Sequence, residues 1–179
     1  MFRSSRVALS ALFIALAAGL GFAGAALPNL ELLSLTVFLG GAATGPWHGL
    51  FIGAAAELIF SGLNPLGLPF PLVFAAQLAG MGLVGLAGGL AGPPVARFRP
   101  GGRAVALGGL GFGLTLVFDV LTNLALGVHM GPVVPTLVGG LAFGLVHMGS
   151  NTLVFAGLGL GGLRVLGEVG ALGRREGEG

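Results

Sequence analysis

The chain has no cysteine, no lysine and little charge of either sign: six acidic residues and eight basic ones, all arginine, in 179 residues. Without cysteine, disulfides, thiolate metal sites, thiol nucleophiles and S-acylation are excluded. Without lysine there is neither a Walker A motif nor a Schiff base, so the chain is not itself a P-loop ATPase. Soluble domains carry about 25% charged residues, whereas this chain carries 8% and cannot cover a water-facing surface. A net charge of +2, held by a few terminal and loop arginines, is too small to argue for a nucleic-acid partner.

What is present points to a lipid environment. Hydrophobic residues make up 55% of the chain and the mean hydropathy is +1.02. At roughly 20 apolar residues per crossing, the length allows five or six membrane spans and no large extramembrane domain. Glycine accounts for 37 residues without a Gly-X-Y period, which suggests small-residue packing between membrane helices rather than collagen.

Hydropathy and Pro/Gly punctuation predict an all-α bundle of six spans over residues 7–26, 30–44, 47–63, 71–91, 103–128 and 133–163, with a tail over 164–179. The fourth is expected to stop before Pro93-Pro94. Arg3 and Arg6, then Arg97, Arg99 and Arg103, then Arg164, Arg174 and Arg175 all fall on one face of a six-span arrangement. The preference of positive residues for the cytoplasm places both termini there. The first segment also fits a cleavable signal, with Ala23-Gly24-Ala25 as the small-residue site.

Ionisable and amide residues within spans are the functional candidates, since each is expensive in hydrocarbon. Glu57, Gln77, Asp119 and Asn123 all fall between the midplane and the outer surface at about 1.5 Å per residue. Asn29, Glu31, Asn64 and His129 join them from the outer loops. This convergence predicts a single outward-facing pocket. His147 and Asn151, spaced i,i+4, are expected at or below the midplane, as an interhelical hydrogen bond or a partner contact in preference to a deep pocket floor. Three lone histidines make a poor metal site, and no metal or cofactor is expected. Gly45, Gly49 and Gly53, Gly85 and Gly89, Gly109 and Gly113, and Gly140 and Gly144 form four-residue ladders suited to close neighbours. Ala11 and Ala15 share that spacing on the first span.

Three short stretches, Pro28-Asn29-Leu30-Glu31-Leu32, Phe118-Asp119-Val120-Leu121-Thr122-Asn123 and His147-Met148-Gly149-Ser150-Asn151, resemble segments of substrate-binding S components of energy-coupling factor (ECF) vitamin transporters. The six short spans and outward polar loops resemble that family along nearly the whole chain. The resemblance implies a non-enzymatic subunit in the bacterial cell membrane that captures a vitamin-like small molecule. It implies a transmembrane T component and two cytoplasmic ATPases as partners, with Ala11 and Ala15 on the docking face. The expected binding set is Asn29, Glu31, Glu57, Asn64, Gln77, Asp119, Asn123, His147 and Asn151, with stacking surface from Phe60, Phe70, Phe74 and Phe118. The competing expectations are an ATPase-independent carrier or channel and a small intramembrane enzyme built on His147 with Ser150 or Asp119. The enzyme is disfavoured because Asp119 is expected at a different depth from His147 and no Gly-x-Ser-x-Gly or His-Glu-x-x-His is present.

Overall fold

The computed structural model describes residues 3–24, 32–65 and 67–172, and no strand occurs among them. They form six helices: α1 (Arg3–Gly24), α2 (Leu32–Thr44), α3 (Pro46–Gly62), α4 (Pro71–Val95), α5 (Pro100–Met130) and α6 (Val133–Glu168).

Local chemistry sets most of the boundaries. Pro46, Pro71 and Pro100 each open a helix, where the fixed φ suits the first turn and the missing N–H had no partner to lose. Gly45 alone separates α2 from α3, with φ at 100°, a setting open to glycine at no steric cost. α1 starts four residues and α5 three residues earlier than read off the sequence, and two helices run four or more residues beyond their expected ends. α4 does not stop before Pro93-Pro94 but runs through both to Val95, because the pair sits in the last turn, where few i→i−4 bonds remain to be lost. α6 continues past residue 163 to Glu168, so Arg164 lies on the helix and bonds Glu168 one turn on at 2.8 Å, and the tail is shorter than expected.

Four helices are long and apolar enough to cross a membrane: α1 from Arg6, α4, α5 and α6. The chain also exposes large apolar side chains over its outer faces, Val105 at 78% and Leu153 at 75%. In water that surface would drive association; in hydrocarbon it is the required one. The protein is therefore a membrane-embedded helical bundle. α2 and α3, at 13 and 17 residues, fall short of the other four.

α2 is the central element. Eleven of its 13 residues are buried, and it packs on α1, α3, α4 and α6, which explains why it is apolar on all sides rather than amphipathic. Glycine permits this. A Cβ at Gly85 would lie against the Gly49 carbonyl, one at Gly53 against the Met81 carbonyl, and one at Gly88 against the Phe38 carbonyl. The first two pairs fix α3 antiparallel to α4, and the third, with Gly92 against Ala42, sets α2 parallel to α4. Of the ladders seen in the sequence, Gly49–Gly53 and Gly85–Gly89 are used in this way, whereas Gly109 and Gly113 meet nothing within 4 Å.

Because no side chain can occupy these contacts without moving backbone, Gly85→Leu should destabilise the protein by about 3 kcal/mol or more. Gly109→Ala, in open space, should be neutral or stabilising by up to about 1 kcal/mol. Thermal unfolding of both variants in detergent provides the comparison, and equal effects would show that glycine packing does not set the bundle.

Candidate binding site

The buried polar groups of the longest helix pair form one connected set. α5 and α6 run antiparallel, with Gly144 facing Asp119, Gly140 facing Asn123 and Gly111 facing Asn151. This spacing brings together side chains far apart in sequence. The His147 Nδ1 lies 2.9 Å from Asp119 Oδ1. Asn151 Nδ2 donates to Thr115 Oγ1 at 2.9 Å and lies 3.2 Å from His147 Nε2. An amide N–H can only donate, so Nε2 accepts, and the His147 proton on Nδ1 points at the Asp119 carboxylate. Asn123 Nδ2 donates to the Asp119 carbonyl at 2.8 Å.

Thr115, Asp119, His147 and Asn151 are all buried. Counted along α5, Asp119 lies about 17 Å from the Met130 end at 1.5 Å per residue, so the set runs from the middle of the two helices toward that end. Two of its acceptors have no partner: Asp119 Oδ2 and Asn151 Oδ1 are buried and unbonded, as is Gln77 Oε1 on α4. Buried acceptors without donors cost about 1–3 kcal/mol each, and all three lack the same thing, a hydrogen-bond donor.

The structure divides the expected pocket in two. Glu57 is buried on α3 and accepts from Ser61 Oγ at 2.6 Å. The α3–α4 register that sets Gly49 against Gly85 and Gly53 against Met81 brings Glu57 level with Gln77. α3 packs on α1, α2 and α4, whereas α5 packs on α4 and α6, so Glu57 and Asp119 belong to different helix groups. Asn64 shapes the turn after α3, its carbonyl accepting from Gly67 N at 3.0 Å. Asn29 and Glu31 lie outside the described residues. Phe70 stacks on His129 at 4.0 Å between ring centroids, joining the start of α4 to the end of α5. Phe60 packs on Phe22 and Phe118 on Gly80.

One expectation is corrected: Asp119 and His147 are not at different depths, since they share a hydrogen bond. For His147 and Asn151 the interhelical hydrogen bond expected from the sequence is present, to Asp119 and Thr115 on α5. The Ser150 hydroxyl donates to the His147 carbonyl at 2.9 Å. Thr115 and Ser61 were absent from the expected set. Thr115 stands four residues before Asp119, and Ser61 four after Glu57, so the i,i+4 spacing that paired Asp119 with Asn123 carries both. Ala11 and Ala15 are exposed on α1.

Comparison with models of known families, with curated proteins and with solved structures yields no match.

The Asp119–His147 pair should behave as a unit. Removing one partner strands a buried polar group, so His147→Leu should destabilise by about 3–5 kcal/mol. Asp119→Leu combined with His147→Leu should cost less than the sum of the single changes by about 1–3 kcal/mol. Unfolding of the four proteins in detergent measures this coupling; additive losses would remove the pair from the core of the site.

Proposed function

We propose that the chain is the substrate-binding S subunit of an ECF-type importer. It captures a vitamin or related micronutrient from outside and delivers it inward when coupled to a transmembrane T component and two cytoplasmic ATPases. In this reading the six helices are six passes through a bacterial cell membrane, with both termini on the cytoplasmic, arginine-bearing face. The observation that carries it is the buried set Thr115–Asp119–His147–Asn151, with acceptors that no protein group satisfies. A small-ligand site has mostly apolar walls and a few polar groups that fix orientation. This one would take a ligand rich in donors. The exposed Ala11 and Ala15 leave a smooth stripe on α1 against which a coupling helix can pack.

A carrier working without ATPases is the second reading, favoured by the Asp119–His147 pair, an acid and a base of the kind that relays protons in membranes. Against it, α5 holds no ionisable side chain between Arg103 and Asp119, and α6 none between His147 and Arg164.

The tagged chain should co-purify with a T component and two ATPases, and mass spectrometry should find a retained small molecule. Asp119→Asn should lower ligand retention about tenfold or more while leaving assembly intact. Leucine at both Ala11 and Ala15 should abolish assembly and spare ligand binding. Uptake that survives deletion of the ATPases would move the protein to the carrier reading.

A further inference from the structure

Asp119 is the one acidic residue of α5, and its two carboxylate oxygens are treated unequally. Oδ1 lies 2.9 Å from His147 Nδ1, whereas Oδ2 is buried and has no donor, in a residue only 9% exposed. The Asn123 amide, one turn further on, donates to the Asp119 main-chain carbonyl rather than to the carboxylate. Lysine is absent from the chain, and no arginine stands between Arg103 and Arg164. Arg103 is about 24 Å from Asp119 along α5 at 1.5 Å per residue. A buried carboxylate with one hydrogen bond and no nearby lysine or arginine is costly, and what it lacks is both a donor and a positive charge.

The unbonded oxygen faces a gap left by a glycine. A Cβ at Gly144 would lie 3.3 Å from Asp119 Oδ2, with no other contact within 4 Å among the described residues, although Gly144 is itself buried. Gly140, one turn earlier on α6, leaves no such gap, because a Cβ there would be 2.7 Å from Asn123 Oδ1. The space over Gly144 is thus about that of the methyl group the glycine lacks. An ammonium group is close to a methyl in size and carries three N–H donors and no acceptor, together with the missing charge. A trimethylammonium has the charge but neither the size nor the donors. Around the gap the surface is apolar: the Phe143 ring lies 5.8 Å from that of His147, and Phe143, Val120 and Leu124 are all exposed.

We propose that the Asp119 site takes a primary ammonium group carried on an apolar body, and that Gly144 sets this specificity. The nitrogen occupies the gap over Gly144 and donates to Asp119 Oδ2 in a charge-assisted hydrogen bond, while the body lies against the apolar surface beside Phe143. Glycine is required at 144 because any side chain there takes the place of the ammonium. The inference rests on reading the Thr115–Asp119–His147–Asn151 set as a ligand site, but not on which subunits the chain assembles with.

The test titrates the full chain in detergent with benzylammonium, benzyltrimethylammonium, benzyl alcohol or benzoate and follows thermal unfolding. Benzylammonium should stabilise at concentrations about tenfold or more below the other three. Gly144→Ala should fold and melt at or above the wild-type temperature, since alanine is the better helix former, yet weaken benzylammonium about tenfold or more. Gly139→Ala, in open space, should leave benzylammonium binding unchanged. Should Gly144→Ala not fold, Asp119→Asn decides, and it should erase the preference for benzylammonium over benzyl alcohol. Equal stabilisation by any of the other three compounds, equal effects of the two alanine variants, or a preference that survives Asp119→Asn overturns the ammonium site. Co-purification with a T component and two ATPases alongside any of those results leaves the S-subunit reading standing without the ammonium. Benzylammonium binding that Gly144→Ala weakens, in a chain that assembles with no such partners, keeps the ammonium site and removes the S-subunit reading.

Discussion

Backbone-to-backbone contact at glycine is the constraint on which the bundle depends. Gly41, Gly49, Gly85, Gly88 and Gly89 bring α2, α3 and α4 so close that a single added carbon at any of them meets main-chain atoms. Hydrocarbon offers no hydrophobic drive for one apolar helix to leave lipid for another, so association rests on dispersion over closely fitted surfaces. The glycines supply that fit, and they account for a short helix such as α2 being held at the centre with almost none of its surface exposed. Around the core, the outward faces of α1, α5 and α6 are free to be apolar without being specific.

That arrangement decides where polar groups can go. Glu57 lies one turn beyond the Gly49–Gly53 seam, buried against its own helix partner Ser61. The α5–α6 pair approaches differently, over glycines that face side chains rather than carbonyls: Gly140 meets Asn123 and Gly144 meets Asp119. There the missing Cβ makes room for polar groups, and the result is a connected acid, imidazole, amide and hydroxyl. The same residue type thus serves as backbone packing in one half of the molecule and as space for a polar site in the other. Leaving Asp119 Oδ2 and Asn151 Oδ1 without donors is a cost, which in the proposed binding role a ligand bearing donors would offset.

Charge is segregated as well as scarce. The acids of the spans lie among helices, whereas Arg6, Arg97 and Arg103 gather at one end, where Arg103 donates to the carbonyls of Ala96 and Phe98 and closes the α4–α5 turn. Arg103 therefore completes a helix end, while Arg6 and Arg97 are among the residues lining a cleft beside the exposed Trp47.

The sequence by itself determined the membrane setting, the all-helical class, six helices and, to within a residue, the starts of α3, α4 and α6. Each of these follows from local properties: composition, a run of apolar residues, a proline at a first turn. It also named Asp119, Asn123, His147 and Asn151, because a polar residue in an apolar run stands out alone. Within a helix the i,i+4 spacing was legible, but Thr115 and Ser61, which share that spacing with Asp119 and Glu57, were not among the residues it singled out. Only the tertiary structure decided that Asp119 bonds His147, 28 residues away, and that Glu57 belongs elsewhere. The register between two helices is set by which glycines meet which backbone atoms, and with 37 glycines the sequence offers many such pairings. Steric fit across the whole bundle selects one of them.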